Sequence, residues 1–362
     1  MLVYSIIINM RQVQRHVINR NHSYWTAIDQ LAILAKNLYN LSNYHYRQHF
    51  FQTGKKLSFN KLYHLVSKTD AYYALPNTKV SKQIIRRVDK AWIGYKEAHK
   101  DWKKNPTKYL GEPKIPKYKD KTSGRYMVIF PDEAVSKPYL KQKKCKLTCA
   151  NFEFDTGLVQ VDEVRFIPRS GCYIVEVVYE QEIQDCKTGI AVAGVDLGLT
   201  NLLTITTNQP DLKPLLVKGG ALKAINTYYN KCFAKLQASL ETKYNKKSSR
   251  RLEQITLKRN NRVENYLHTF SRRLINWCLE NGLGTLIVGK NVCWKQEINI
   301  GKRNNQQFTA IPHARLIKML EYKAELVGIL VVITEEAYTS KASALDNDPI
   351  PKYGDFAAFI QW

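Results

Sequence analysis

The residue best placed to do chemistry in this chain is one aspartate, Asp196, at the end of an apolar run. Residues 190–195 are all apolar or glycine, which is the pattern of a buried strand. The turn residues Gly198 and Asn201 follow, and a second strand-like run covers 202–206. A carboxylate at the end of a central strand is costly to desolvate unless a cation or several hydrogen-bond donors compensate it. The pattern therefore predicts either a ligand for Mg²⁺ or a turn aspartate in an ordinary hairpin.

Two more acids take the corresponding place after another apolar run. Residues 329–334, ILVVIT, predict a buried strand, and Glu335 and Glu336 come directly after it. From 188 onward the predicted order is strand, hairpin, helices, strand, helix and strand, which fits an α/β sheet with parallel central strands. Active groups collect at the carboxyl ends of the strands in such sheets. The shared position of Asp196 and the two glutamates favours the metal site over the hairpin turn.

The charge of the chain points to a polyanionic partner. Among 362 residues, 56 are Lys or Arg and 31 are Asp or Glu, so the formal net charge is +25. A basic protein gains affinity for nucleic acid because each neutralised phosphate releases condensed counterions. The 22 Tyr and 6 Trp offer faces on which unpaired bases can stack. No apolar run approaches the length of a membrane span, so we expect no membrane partner.

The seven cysteines are scattered and odd in number, and no C-x-x-C motif occurs among them. Disulfide frameworks and structural zinc sites both need paired, regularly spaced cysteines. The sequence therefore predicts a protein that resides in a reducing cytoplasm and has no structural zinc site.

Three patterns divide the N-terminal half. Residues 2–9 predict a single strand, and residues 24–102 carry apolar residues at three- and four-residue spacing, which predicts helices. The stretch 105–121 has prolines that forbid regular helix and lysines that suit an extended arm along a phosphate backbone. From 124 to 183 the apolar period falls to two, with turn residues between the runs, which predicts a small antiparallel barrel or sandwich.

A basic helical stretch lies inside the C-terminal half. Residues 243–262 contain eight Lys or Arg and one acid, and like charges at helical spacing repel one another. A solvated charged face is one explanation, and a bound nucleic-acid backbone is the one we favour because it removes the repulsion. Together with the arm and one C-terminal lysine, the predicted nucleic-acid-binding residues are Lys114, Lys117, Lys119, Lys243, Lys246, Lys247, Arg250, Arg251, Lys258, Arg259, Arg262 and Lys341.

Several segments, in this order along nearly the whole chain, resemble one known group of proteins. They are KNLYNLSNYHYRQ (36–48), PKIPKYKDKTSGR (113–125), VRFIPRSGCYIVEVVYE (164–180), GVDLGLTNLLT (194–204), NNQQFTAIPHARLIKMLEYKAELVGI (304–329) and EEAYTSKAS (335–343). These segments resemble the TnpB, or OrfB, proteins of bacterial insertion sequences, which are similar to the ancestors of the type V CRISPR effectors.

The resemblance implies an α+β multidomain protein. Its parts would be an N-terminal strand of a wedge barrel (1–20), a helical recognition insert (21–104), a β-barrel wedge domain (105–187) and an RNase H-like, or RuvC, α/β domain (188–362). The last of these would carry a basic helical insertion at about 221–283.

The resemblance also implies a function. A transposon-encoded, RNA-guided DNA endonuclease of this kind binds a guide RNA and pairs it with target DNA, in the prokaryotic cytoplasm and in association with the nucleoid. Cleavage would use Mg²⁺ or Mn²⁺ ions held by carboxylates, one activating water and the other stabilising the leaving oxygen. Asp196, in GVDLGLTN, matches the first aspartate of the family.

The chain departs from the family pattern at the second acid. Where many relatives end the strand LIV with glutamate, this chain has Gly289, which cannot act as a ligand. The strands ending at Val288 and Thr334 would be parallel neighbours in an RNase H-like sheet, about 5 Å apart. We therefore predict that Glu336, in preference to Glu335, places its carboxylate in the vacant position. The other interpretation is a pair of surface glutamates.

The third acid of the family is not matched either. In the family it lies on a helix well downstream of the Tyr-Thr-Ser segment, and the present sequence reaches Trp362 without such a helix. Asp346, Asp348 and Asp355 lie in a tail that reads as loop. We therefore expect a truncated RuvC domain that lacks its last helix. Since losing a ligand removes most of the chemistry, the activity is left open between an endonuclease and a nuclease-inactive RNA-guided DNA-binding protein, either a repressor or a transposon remnant.

Overall fold

A computed structural model describes residues 9–183, 189–290, 295, 299 and 301–336. The described residues divide into two units, Asn9–Gln181 and the part that begins at Glu182. Each unit has its own buried apolar core. The chain is a mixed α+β protein, as the sequence predicts. None of the described helices is both long enough and apolar enough to cross a membrane.

Four helices follow the first strand of the N-terminal unit. The strand, β1, covers Asn9–Asn19, so the strand predicted at 2–9 falls outside the described residues except for its last position. The helical prediction for 24–102 is confirmed, because this stretch contains α1 (Trp25–Thr53), α2 (Phe59–Val66), α3 (Asp70–Tyr73) and α4 (Thr78–Lys104).

Local chemistry sets the ends of these helices, and aromatic packing joins them. Gly54 ends α1 with a φ of 65°, a left-handed conformation that glycine adopts without steric cost. The Asn77 side chain accepts a hydrogen bond from the backbone of Lys79 at the start of α4. Trp92 of α4 stacks on Tyr46 of α1, with ring centroids 4.5 Å apart, and both are fully buried.

The period-two region folds into strands, also as predicted. These are β2 (Val128–Pro131), β3 (Lys144–Lys146), β4 (Glu153–Asp155), β5 (Glu163–Arg169) and β6 (Cys172–Glu182), with the short helix α5 (Lys137–Lys141) after β2. One sheet has the order β1-β6-β5-β2, and β3 pairs with β4 in a second, two-stranded sheet. The strand pairs β2–β5, β5–β6 and β3–β4 are antiparallel.

A five-stranded sheet forms the centre of the C-terminal unit. Its strands are β7 (Ala191–Asp196), β8 (Asn201–Thr207), β9 (Leu215–Lys218), β10 (Leu283–Gly289) and β11 (Leu330–Thr334). They lie in the order β11-β10-β7-β8-β9. β10 is parallel to both of its neighbours, while β8 is antiparallel to β7 and β9. The predicted parallel central strands are confirmed.

The helices of this unit are α6 (Gly220–Tyr244), α7 (Arg250–Glu280), α8 (Lys302–Ala310) and α9 (His313–Glu325). The sequence predicts the region of α6 and α7 and the helix α9, and it does not predict α8. Apolar residues on one stripe of α7, including Leu267 and Leu274, are buried in the core that covers one face of the sheet. This stripe recurs every three or four residues, as one face of a helix requires.

A buried lysine joins α7 to α9. Lys323 is 4% exposed, and its ammonium group donates hydrogen bonds to the His268 carbonyl at 2.8 Å and to the Ser271 hydroxyl at 2.7 Å. Burial lowers the pKa of Lys323 to about 8; the charge of Arg272 lowers it further, and Glu264 acts in the opposite direction.

This buried lysine predicts a pH-dependent stability. Between pH 8 and 10.5 the unfolded chain keeps the Lys323 proton that the folded chain releases, so the wild type should gain stability as the pH rises. Relative to Lys323→Met, the gain should reach about 3 kcal/mol across that range. Urea unfolding at pH 7, 8.5 and 10 measures it, with Lys318→Met, an exposed lysine on the same helix, as the control. Parallel pH profiles for wild type and Lys323→Met would contradict the assignment.

Candidate metal and nucleic-acid site

Three strand ends form a row at one edge of the C-terminal sheet. Val195 of β7 pairs with Val288 of β10, and Gly289 of β10 pairs with Thr334 of β11. Asp196 is the residue after Val195, so it lies beside Gly289 on the neighbouring strand, at the spacing of about 5 Å between paired strands. The carboxyl ends of β7, β10 and β11 therefore meet where the sequence predicts them to meet.

The carboxylate of Glu336 occupies the space that a side chain at position 289 would fill. A Cβ atom built on Gly289 would lie 1.5 Å from Oε1 and 1.8 Å from Cδ of Glu336. Real atoms never approach so closely, so this carboxylate and any side chain at 289 exclude each other. Glu336 follows β11 by two residues and reaches back across to β10. Its position supports the interpretation that it takes the place of the missing acid.

Asp196 and Glu336 interact electrostatically. Burial raises the pKa of Glu336, and the negative charge of Asp196 raises it further. Asp196 itself is exposed, while Glu336 is half-buried and Glu335 is exposed. The structure thus brings Asp196 and Glu336 together at the sheet edge, and it records no contact of Glu335 with them.

Two neighbouring carboxylates of this kind fit a divalent cation. Carboxylate oxygens are the ligands that Mg²⁺ prefers, and a cation between the two would relieve their repulsion. In the described residues no group of three or more His, Cys, Asp or Glu is placed to hold a metal ion. Three further acids near the C-terminus, Asp346, Asp348 and Asp355, lie outside the described residues.

A buried histidine holds the turn that follows Asp196. His313 is the first residue of α9, and its Nε2 lies 3.2 Å from the carbonyl oxygen of Gly198. A carbonyl only accepts, so Nε2 carries the proton. Burial, with the positive charge of Lys295, lowers the pKa of His313 to about 4, so the ring is neutral at pH 7. Nothing in the sequence marks this contact, since the two residues are 115 positions apart.

Two glycines, Gly198 within this turn and Gly219 after β9, allow backbone segments to approach each other closely. A Cβ on Gly198 would lie 2.6 Å from the Asn201 carbonyl, and one on Gly219 would lie 2.5 Å from the Leu199 carbonyl. The Gly219 amide donates to the Thr200 carbonyl at 2.8 Å. Strand β9 and helix α9 thereby fix the loop that carries the exposed aspartate.

Most of the predicted basic residues of α6 and α7 are exposed. The exposed ones are Lys243, Lys246 and Lys247 around the turn between the helices, and Arg250, Arg251, Lys258 and Arg262 on α7. The Ser249 side chain caps α7 by accepting from the Leu252 amide at 3.3 Å. These residues are available to a polyanion, as their predicted role requires.

Arg259 differs from this set because its guanidinium is engaged inside the protein. It donates to the Asn226 side chain at 2.8 Å and to the Ala310 carbonyl at 3.0 Å, and it lies over the Tyr229 ring. Burial lowers its pKa. Asn226 is itself buried. Arg259 therefore joins α6, α7 and the end of α8, and we assign it to packing and not to the phosphate-contacting set.

The predicted arm lies along α1. Its carbonyls accept hydrogen bonds from α1 side chains, among them Tyr39 to Lys117 at 3.2 Å and Asn40 to Lys119 at 2.9 Å. The side chains of Lys114, Lys117 and Lys119 are exposed, and the Lys119 ammonium lies over the Tyr39 ring. Lys341, the remaining predicted contact, lies outside the described residues.

Comparison with known proteins finds a family-model match over part of the chain and a shared fold. Residues 175–295 match the family model OrfB_IS605, described as a probable transposase. The resemblance to OrfB proteins is therefore confirmed. No curated protein matches the chain in sequence.

Among solved structures, the Cas12f1–sgRNA–target DNA complex aligns with a TM-score of 0.57 and 14% identity, over 91% of this chain and 76% of that one. A CRISPR-Cas12f ternary complex aligns with a TM-score of 0.37 and 12% identity, over 92% and 75% of the two chains. C2c1 of Alicyclobacillus acidoterrestris with single-guide RNA aligns with a TM-score of 0.35 and 8% identity, over 90% and 62%. The chain thus shares the general fold of Cas12f1.

The contact between Gly289 and Glu336 predicts the effect of adding one methyl group. Gly289→Ala should push the Glu336 carboxylate away and weaken Mn²⁺ binding by about tenfold or more, as large as the loss from Glu336→Ala. Titration of Mn²⁺ by electron paramagnetic resonance measures the affinity. Gly220→Ala is the control, because nothing lies within 4 Å of a Cβ there. Unchanged Mn²⁺ affinity in Gly289→Ala would show that this space is not part of the site.

Proposed function

We propose that the protein is an RNA-guided DNA endonuclease of an insertion sequence, which binds a guide RNA and cleaves DNA that pairs with it. The observation that carries this proposal is the carboxylate of Glu336 in the side-chain space of Gly289, next to Asp196. The match to the OrfB family and the fold shared with Cas12f1 support the same conclusion.

The finer division of the fold is part of the proposal. We assign the sheet β11-β10-β7-β8-β9 to an RNase H-like, or RuvC, domain, because an antiparallel hairpin followed by two parallel strands is the arrangement expected of that domain. The sheet β1-β6-β5-β2 would be the wedge domain, and α1 to α4 would be the recognition insert.

Asp196 and Glu336 are the residues that would hold the metal ion, Mg²⁺ or Mn²⁺. An ion held by these two carboxylates would supply an activated water and would neutralise charge on the phosphate. His313 keeps the Asp196 turn in place by donating to the Gly198 carbonyl. The exposed cations of α7 neutralise strand phosphates and so retain the substrate beside the site.

A second candidate function is RNA-guided binding of DNA without cleavage, with the same guide RNA and target DNA as partners. Guide-dependent DNA binding without hydrolysis needs the fold and the exposed cations of α7, and it needs no third acid. In that case the protein would act as a repressor or persist as a transposon remnant. The two functions differ only in whether the bound DNA is cut.

Moving the carboxylate back to β10 tests the catalytic proposal. Asp196→Ala and Glu336→Ala should each lower cleavage of guide-matched DNA at least about a hundredfold, because a missing metal ligand removes most of the chemistry. Glu335→Gln should cleave as the wild type does. The swap variant Gly289→Glu/Glu336→Gly should recover part of the activity lost in Glu336→Ala.

Cleavage is measured on a plasmid with guide RNA and Mg²⁺, and binding is measured in parallel with Ca²⁺ in place of Mg²⁺. Equal loss of cleavage in Glu335→Gln and Glu336→Gln would end the relocated-ligand proposal. A wild type that binds guide-matched DNA and leaves it uncut would establish the second function instead.

Substitutions of the exposed cations of α7 and of the engaged Arg259 should have different effects. Arg250→Gln/Arg251→Gln/Lys258→Gln should weaken nucleic-acid binding and lower the slope of log K against log salt by about 0.7 to 0.9 for each phosphate that is no longer neutralised. Arg259→Gln should instead lower the melting temperature and leave that slope unchanged, because its partners are in the protein. Fluorescence anisotropy at about 50 to 200 mM NaCl, a range over which phosphate contacts lose affinity steeply, measures the slopes. A triple variant with the wild-type slope would exclude α7 from the interface.

A further inference from the structure

A groove between α6 and α7 combines apolar, aromatic and cationic side chains. Its volume is about 530 Å³, within the range of about 300–1,000 Å³ typical of small-ligand sites. Helical spacing explains which residues line it: Ile225, Tyr229, Cys232 and Leu236 recur at three or four positions along α6. They face an equivalent row on α7 that includes Ile255.

The groove has an apolar floor with a fixed aromatic ring. Ile225, Tyr229, Cys232, Leu236 and Ile255 are all half-buried. The Tyr229 hydroxyl lies within hydrogen-bond distance, 3.1 Å, of the Thr256 hydroxyl on the opposite helix, which holds the ring in place. Tyr228 stands at the rim and is 68% exposed. Apolar side chains that two packed helices leave open to one groove are typical of a ligand surface.

The charge around this floor has one sign. Lys235, Arg251, Lys258, Arg259 and Arg262 line the groove, and the residues that line it include no carboxylate. Asn226 and the Ala310 carbonyl hold Arg259 at the floor, so the cations open to phosphate are the other four, which are exposed at the edges. Like charges so close together favour an anionic occupant.

We propose that this groove binds an unpaired segment of nucleic acid, with a base stacked against Tyr228 over the apolar floor and the flanking phosphates on the rim cations. The inference rests on the proposed function in taking nucleic acid as the partner. A duplex presents phosphates and keeps its bases stacked inside, so it would satisfy the cations and leave the Tyr228 ring and the apolar floor unused. A single strand uses both, since every base has a face that stacks on an aromatic ring.

The chemistry separates the two contributions to affinity. Stacking on tyrosine does not depend on salt, whereas the contacts between cations and phosphates do. Removal of the Tyr228 ring should therefore weaken single-strand binding without changing its salt slope. Because Tyr228 is mostly exposed, its removal leaves the packing of α6 against α7 intact.

The test uses the full chain, freed of bound RNA by nuclease and high salt, and labelled 20-nucleotide poly(U), poly(dT) and a mixed-sequence duplex. Tyr228→Ala should lose about 5- to 100-fold in affinity for both single strands and nothing for the duplex. Tyr228→Phe should restore the affinity because it keeps the ring. Tyr244→Ala is the matched control, since Tyr244 is a similarly exposed tyrosine of α6 that does not line the groove.

Photocrosslinking is a second measurement, and it locates the bound base directly. Poly(U) carrying 5-bromouridine should crosslink on irradiation to Tyr228 or Tyr229, as found by mass spectrometry. Equal single-strand affinity in Tyr228→Ala and wild type, equal losses for single strand and duplex, or displacement of poly(U) by poly-glutamate at equal charge would each overturn the proposal. None of these assays involves a guide or cleavage, so their outcome is independent of whether the endonuclease proposal holds.

Discussion

Pairing of β10 between β7 and β11 is the constraint on which the site depends. The two parallel registers bring Asp196, Gly289 and Thr334 to one edge, although they come from three distant parts of the chain. A glycine at the central position leaves a side-chain space empty, and the carboxylate of Glu336 fills it. Strand pairing thus fixes the positions at which acids can lie close together, and the residue types at those positions determine which strand carries the acids.

The electrostatics of the acid pair differ from those of the chain as a whole. Two carboxylates held together repel, and in a neutral protein this repulsion would oppose their ionisation. Burial and the charge of Asp196 accordingly raise the pKa of Glu336. The net charge of +25 over the whole chain favours an incoming polyanion. The cations are not equivalent, however. Arg259 directs its hydrogen bonds to Asn226 and Ala310, whereas its exposed neighbours on α7 are open to phosphate.

Patterns of local sequence predict the sheet and the acid pair, and they fail where contacts join distant residues. Uninterrupted apolar runs identify β7, β10 and β11, and the parallel pairing then points to Glu336. The contact of His313 with Gly198 has no sequence signal, and neither has the burial of Arg259, because both depend on side chains from other elements. The sequence does not predict β1, whose residues alternate between exposed positions and positions that are half-buried or, at Ile18, buried.

A ligand carried by Glu336 differs physically from one at position 289. Val288 is fully buried, so a side chain on its neighbour would be held by the core, whereas Glu336 follows β11, where Leu330 is 60% and Ile333 41% exposed. The carboxylate therefore depends on an edge strand with little burial to hold it. A cation between Asp196 and Glu336 would tie β11 to β7 across β10, and whatever binds only the ordered state stabilises that state. Metal binding and the pairing of β11 are thus thermodynamically linked, which a glutamate at 289 would not require.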